Sequence, residues 1–123
     1  KGIPARFIIG FSMTESSGQT SGYHCWAEFF VEGRGWIPVD PSEASKSSDP
    51  ARREYLFGNL DPDRIQFTVG RDVRLTPPTR EPLNFFIYPY AESNGENVGM
   101  PGISLAFRDL PARPGVSDGA KSR

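Results

Sequence analysis

Tyr23-His24-Cys25-Trp26-Ala27-Glu28-Phe29-Phe30-Val31, then Glu32-Gly33-Arg34-Gly35, then Trp36-Ile37-Pro38-Val39-Asp40, is the stretch whose reading decides the fold. The outer runs are aromatic and β-prone. A glycine-bearing connection of about four residues between two such runs reads as a hairpin. Register then decides what the hairpin can do. Side chains alternate between the faces of a strand, so a slip of one residue moves each of them to the other face. With a one-residue bulge at Gly33 or Gly35, Trp26 stands opposite Asp40. His24 is then the diagonal neighbour of Asp40, about 7–8 Å away between Cα atoms. An unbulged turn sends His24 and Asp40 to opposite faces. Either glycine can supply the positive φ that a bulge of this kind wants.

Working outward, Gly2-Ile3-Pro4 is a stiff entry into Ala5 to Phe11, an apolar run suited to a buried strand. Residues Ser12 to Gly22 read as a polar loop, and Pro41 to Asp49 as a serine-rich one. Asp49 and Pro50 have the chemistry of an N-cap and first helical residue for a short helix over Ala51 to Leu60. Arg64 to Val73 alternates as a strand, with Ile65, Phe67 and Val69 on one face. Leu83 to Tyr90 is strongly β-prone, and Gly102 to Leu110 is a weaker last strand. From Pro111 the composition turns to Pro, Gly, Ser, Asp and Lys, the pattern of a flexible tail. A mostly antiparallel sheet with one short helix follows.

The chain has 123 residues, 37% of them apolar, with nine Phe, four Tyr and two Trp. That suffices for one folded unit and is too aromatic for a disordered chain. Fourteen basic against fifteen acidic residues, scattered, give no single-sign field. Neither a nucleic acid nor a membrane is therefore an expected partner. The longest apolar run, Phe7 to Phe11 broken by Gly10, is too short to span a bilayer. One cysteine permits no intramolecular disulfide and declares no compartment. The opening Lys1-Gly2-Ile3-Pro4, without an initiator Met, reads as a piece of something longer, so no localisation is assigned.

His24 is the one histidine of the chain. A lone strand histidine is ordinarily half-buried filler. A carboxylate against one imidazole nitrogen changes this, because it fixes the tautomer and stabilises the imidazolium, leaving the other nitrogen to activate a nucleophile. Such a pair normally serves a cysteine thiol. Cys25, next to His24 on a strand, points to the other face and reads as a small core residue. On the bulged register Trp26 and Trp36 share the His24 face, where they could line a substrate groove or simply pack. Glu28 reads as an exposed strand carboxylate and Arg6 as a structural ion-pair or snorkelling residue. Asn59, Asp61 and Asp63 lack the ligand alternation of a calcium loop, and one His with one Cys is too few for zinc. No metal and no cofactor are expected.

Gly2-Ile3-Pro4-Ala5-Arg6, His24-x-Trp26-x-Glu28 and Gly35-Trp36-x-Pro38-x-Asp40-Pro41 together resemble the second half of the transglutaminase-like core. Arg53 to Arg64 and Asn84 to Tyr90 resemble a bacterial branch of that superfamily described as cysteine proteases. The resemblance implies an α+β fold of the papain-like/transglutaminase-core type. Residues 1–110 would be the C-terminal part of the core and 111–123 a tail. It further implies His24 as general base, Asp40 as its orienting partner, and a nucleophile carried by a helix preceding Lys1. The implied reaction is hydrolysis or acyl transfer at a peptide or glutamine amide, with a protein or peptide as substrate and the piece inactive alone. A non-catalytic binding module on the same scaffold is the alternative. A sheet without its helical layer is expected to expose apolar surface and to form a homodimer or strand-exchanged assembly.

Overall fold

Two β-bulges set the register of the sheet. The computed structural model describes residues 2–13, 17–20, 22–99 and 102–110. In chain order the elements are β1 (Ala5–Ser12), β2 (Ser17–Gln19), β3 (His24–Val31), β4 (Gly35–Val39), α1 (Pro41–Lys46), α2 (Pro50–Tyr55), β5 (Arg64–Val69), β6 (Glu92–Ser93), β7 (Glu96–Asn97) and β8 (Ala106–Arg108). The principal sheet has four strands in the order β4-β3-β1-β5. Its strand pairs are all antiparallel.

The β3–β4 hairpin takes the bulged register. Arg34 N–H donates to the Val31 carbonyl at 3.0 Å, while Val31 pairs with Gly35, so Arg34 and Gly35 together oppose Val31. Gly33 and Gly35 have φ of 76° and 83°, values that favour glycine. The ladder runs on to Ala27↔Val39. One step further places Trp26 opposite Asp40.

A second irregularity lies between β1 and β5. Ile9 pairs with Thr68 but Gly10 pairs with Gln66, leaving Phe67 without a partner. This bulge corrects the simple alternation expected of Ile65, Phe67 and Val69. Val69 faces Ile8 and Ile65 faces Phe11, so the two lie on opposite faces. Ser12 pairs with Arg64, which turns Arg64 to the face that carries His24 and Trp26. Gly10 has no room for a side chain. A Cβ there would overlap the Ile65 carbonyl and come within 2.9 Å of Trp26 Cη2.

The opposite face is the apolar one. Ile9, Phe11 and Ile87 form its buried centre, with Phe7, Cys25, Phe85, Tyr88 and Leu105 packed around them. Residues 83–90 supply this cover without forming a strand. Their only bridge is Leu83 to Val73, and Phe85, Ile87 and Tyr88 pack on the sheet face rather than pairing along its edge. The β5 strand ends at Val69, short of the expected Val73, where Gly70 takes a φ of 94°.

Three further expectations are corrected. Residues 41–46 are helical rather than a loop, because Asp40 caps them and Pro41 sits at the first position. The second helix runs Pro50–Tyr55, capped by Asp49 as expected but shorter than the predicted Ala51 to Leu60. Phe57 bridges to Val39 and Gly58 has a φ of 132°, so the chain leaves the helix there. The described residues thus carry two short helices rather than one. The polar segment after β1 contributes β2, which pairs with β8, the three-residue remnant of the predicted Gly102 to Leu110 strand. The expected tail, 111–123, lies outside the described residues.

Gly10→Ala should destabilise the fold by about 3 kcal/mol, since the added methyl meets backbone rather than a yielding side chain. Urea unfolding checks this. A loss under about 1 kcal/mol would contradict the close packing of Trp26 across β1.

Candidate functional site

Asp40 is where the site begins. It ends the β3–β4 hairpin and caps α1, with Oδ1 accepting the Glu43 N–H at 2.9 Å. Its own N–H donates to the Leu56 carbonyl at 2.9 Å, tying it to the end of α2. The side chain is 0% exposed. A buried carboxylate demands compensation, and Oδ2 receives it twice. His24 Nε2 stands 2.6 Å away, and Arg64 Nη1 also 2.6 Å. Sequence reasoning placed His24 and Asp40 within reach on the bulged register, and the contact is present. Their side chains are 14% and 0% exposed.

Arg64, at the start of β5, escaped sequence reasoning. Its side chain is only 6% exposed. Nη1 approaches Oδ2 closely but not along its N–H direction. Among the described residues, Nε and Nη1 therefore make no hydrogen bond. Nη2 lies 3.6 Å from Asp61 Oδ2, and Asp61 is gripped through both oxygens by Arg52. A chain of contacts thus runs from His24 through Asp40, Arg64 and Asp61 to Arg52, the last four alternating in charge. No pattern in the sequence marks Arg64, because the β5 bulge inverts the alternation that would place it.

Trp26, 5% exposed, fills the space between these groups. Its ring stacks on His24 at 6.2 Å between centroids, and the Arg64 guanidinium carbon lies 5.5 Å from its centroid. Trp36 shares the face but not the site. It pairs with Phe30, six residues along β3 from His24, roughly 20 Å at strand spacing. There it is 38% exposed and stacked under Arg6 at 4.2 Å. Arg6 is the ion-pairing residue expected, and its partner is Glu28, which is therefore not the free surface carboxylate predicted. Cys25 packs in the apolar core on the other face.

Burial by itself would push the Asp40 carboxyl up. The Glu43 N–H, the His24 hydrogen bond and the charges of His24 and Arg64 outweigh it and hold the group below the usual carboxylate range. Asp61 is likewise lowered, first by its Arg52 hydrogen bonds. Among the described residues, no group of three or more His, Cys, Asp or Glu could hold a metal ion. No helix among them is long and apolar enough to cross a membrane.

A buried imidazole–carboxylate contact is an arrangement that can support acid–base chemistry. Set against known proteins, residues 1–41 match the family model described as Transglutaminase-like superfamily. That segment holds both His24 and Asp40, and the match supports the superfamily. The chain is 35% identical over 126 aligned residues to a Haemophilus influenzae protein described as "Uncharacterized protein", an alignment covering 77% of this chain. It spans about a third of that relative's length, 34%. No solved structure matches.

Asp40→Asn should cost roughly 3–5 kcal/mol, because it strands the buried Arg64 cation. Asparagine caps a helix about as well as aspartate, so the loss reports charge rather than capping. A carboxyl held below its unfolded value contributes stability above that value and loses it as pH falls through the folded one. Wild-type stability should therefore drop at acid pH more steeply than that of Asp40→Asn. Thermal unfolding across an acid pH series measures both.

Proposed function

We propose that His24 and Asp40 are the general base and orienting carboxylate of a transglutaminase-like thiol enzyme acting on amide bonds. The observation that carries this reading is the 2.6 Å contact from His24 Nε2 to a carboxylate wholly sealed from water. Asp40 holds the imidazole in one tautomer and orientation, so Nδ1 is the nitrogen left to accept a proton. A thiol gives that proton to Nδ1, and the thiolate attacks the carbonyl of a peptide or glutamine amide. The imidazolium then protonates the departing amine or ammonia as the C–N bond breaks, leaving a thioester. Water or a second amine, deprotonated by the same nitrogen, completes hydrolysis or transfer.

Cys25 lies among the core residues of the opposite sheet face, so it does not serve as this thiol. The reading assigns the nucleophile to a residue outside these 123 and takes the chain alone to be inactive. The sheet then corresponds to the β half of a papain-like core, and the natural partner is a protein or peptide substrate. Trp26, wedged behind the imidazole, acts as its wall. Trp36 is too far along the sheet to touch a group reacting at His24 but can meet a longer substrate.

The intact protein, treated with a fluorescent thiol-reactive probe and assayed for amide hydrolysis, tests this. His24→Ala should lower both rates on the order of a hundredfold or more, as loss of a general base does. Labelling and hydrolysis at the wild-type rate in His24→Ala would remove the assignment, whereas a wild-type protein without amide hydrolysis would favour a non-catalytic binding module on this scaffold.

A further inference from the structure

We infer that Arg64 is a positioning residue for the His24–Asp40 pair, holding the Asp40 carboxylate in register with the imidazole; this rests on the reading of His24 as a general base. Arg64 and His24 share one oxygen, Oδ2, each at 2.6 Å, while the Glu43 N–H takes Oδ1. The carboxylate is thus held from three elements at once: β3, β5 and the first turn of α1.

The charge count explains why a second cation belongs there. A general base must cycle between neutral and protonated imidazole. With His24 neutral, a buried Asp40 lacking any other counter-ion would favour taking a proton itself. It would then no longer orient or stabilise the imidazolium. Arg64, permanently cationic, keeps Asp40 ionised in both halves of the cycle. The other charges around it fit this task. Glu43, Asp61, Asp63 and Arg52 line an open groove of about 360 Å³ with Arg64 and Ser12. Within it, Asp61 reaches the far side of the guanidinium and is itself clamped by Arg52 from α2.

The arrangement is a poor device for stability. Burying a guanidinium whose Nε and Nη1 make no hydrogen bond among the described residues is costly even with the ion pair to Asp40, and an apolar side chain of similar volume would fit the sheet more cheaply. The chain nevertheless carries a β-bulge that turns Arg64 onto the His24 face, a device found where a side chain must be re-aimed.

The test uses the intact protein with ¹³C-labelled aspartate, the Asp40 carboxyl resonance being assigned by its loss in Asp40→Asn. In Arg64→Met, folded by circular dichroism, that carboxyl should titrate at higher pH than in wild type. Its kcat for amide hydrolysis should fall on the order of ten- to a hundredfold with KM unchanged, the signature of a misaligned base. Arg64→Lys keeps the charge and should restore the titration, with kcat in between. An Asp40 titration in folded Arg64→Met that coincides with wild type overturns the inference. Should Arg64→Met fail to fold, Arg64→Lys decides: a lowered kcat at constant KM supports the role, and wild-type kcat overturns it. A wild-type protein with no amide-cleaving activity would instead defeat the reading of His24, while the carboxyl titration still reports whether Arg64 governs Asp40.

Discussion

A single buried carboxylate organises this protein. Asp40 has no exposure to water, so each of its oxygens must be satisfied from within. The partners it recruits come from distant parts of the chain: an imidazole from β3, a backbone N–H from α1 and a guanidinium from β5. Its own N–H closes onto the end of α2 through Leu56, which is itself buried. The helices α1 and α2, each only six residues long, are too short to be stable alone. They persist because one starts on Asp40 and the other ends against it. The carboxylate is therefore a structural hub as well as an electrostatic one, and the two roles cannot be changed independently.

Two departures from regular sheet geometry make the hub possible. The extra residue in the β3–β4 connection puts Asp40 on the His24 face, and the bulge between β1 and β5 puts Arg64 there too. A slip of one residue flips a side chain to the other face of a sheet. With either strand in plain register, one of the two charges would point into the apolar core beside Ile9 and Phe11. Gly10 sits at the second bulge and leaves space for the Trp26 ring, which packs beside both His24 and Arg64.

The first of these departures was legible in the sequence and the second was not. Glu32-Gly33-Arg34-Gly35 announces a turn that needs positive φ, and from it the meeting of His24 with Asp40 follows. Nothing comparable marks β5. Arg64 to Val69 alternates cleanly, and that very regularity suggests a plain strand with Ile65 and Val69 on one face. The β5 bulge depends on Gly10 in another strand, a contact that local patterning cannot contain. The α1 helix was hidden for a related reason. Pro41 to Lys46 is serine-rich and carries no buried residue, so it lacks the apolar stripe by which helices are recognised. Its cap, Asp40, closes a β-prone run, so the strand pattern masks the sign of a helix start. Residues 83–90 erred the other way, since β-branched and aromatic residues favour a half-buried surface whether or not they join a ladder.

The geometry also separates a closed side from an open one. Behind Asp40 stand the Arg64 guanidinium and the Trp26 ring, both with little exposure to water, and the first turn of α1. His24 is the most exposed member of the set, at the first position of β3, beside the half-exposed ring of Tyr23. A pair with its carboxylate sealed from water and its imidazole 14% exposed has a direction. Low dielectric strengthens the Asp40–His24 attraction where water is excluded. A purely structural pair would gain nothing from this asymmetry, because its stability would be the same or better with both ends covered. The imidazole is thus the end of this buried electrostatic cluster that lies nearest the surface.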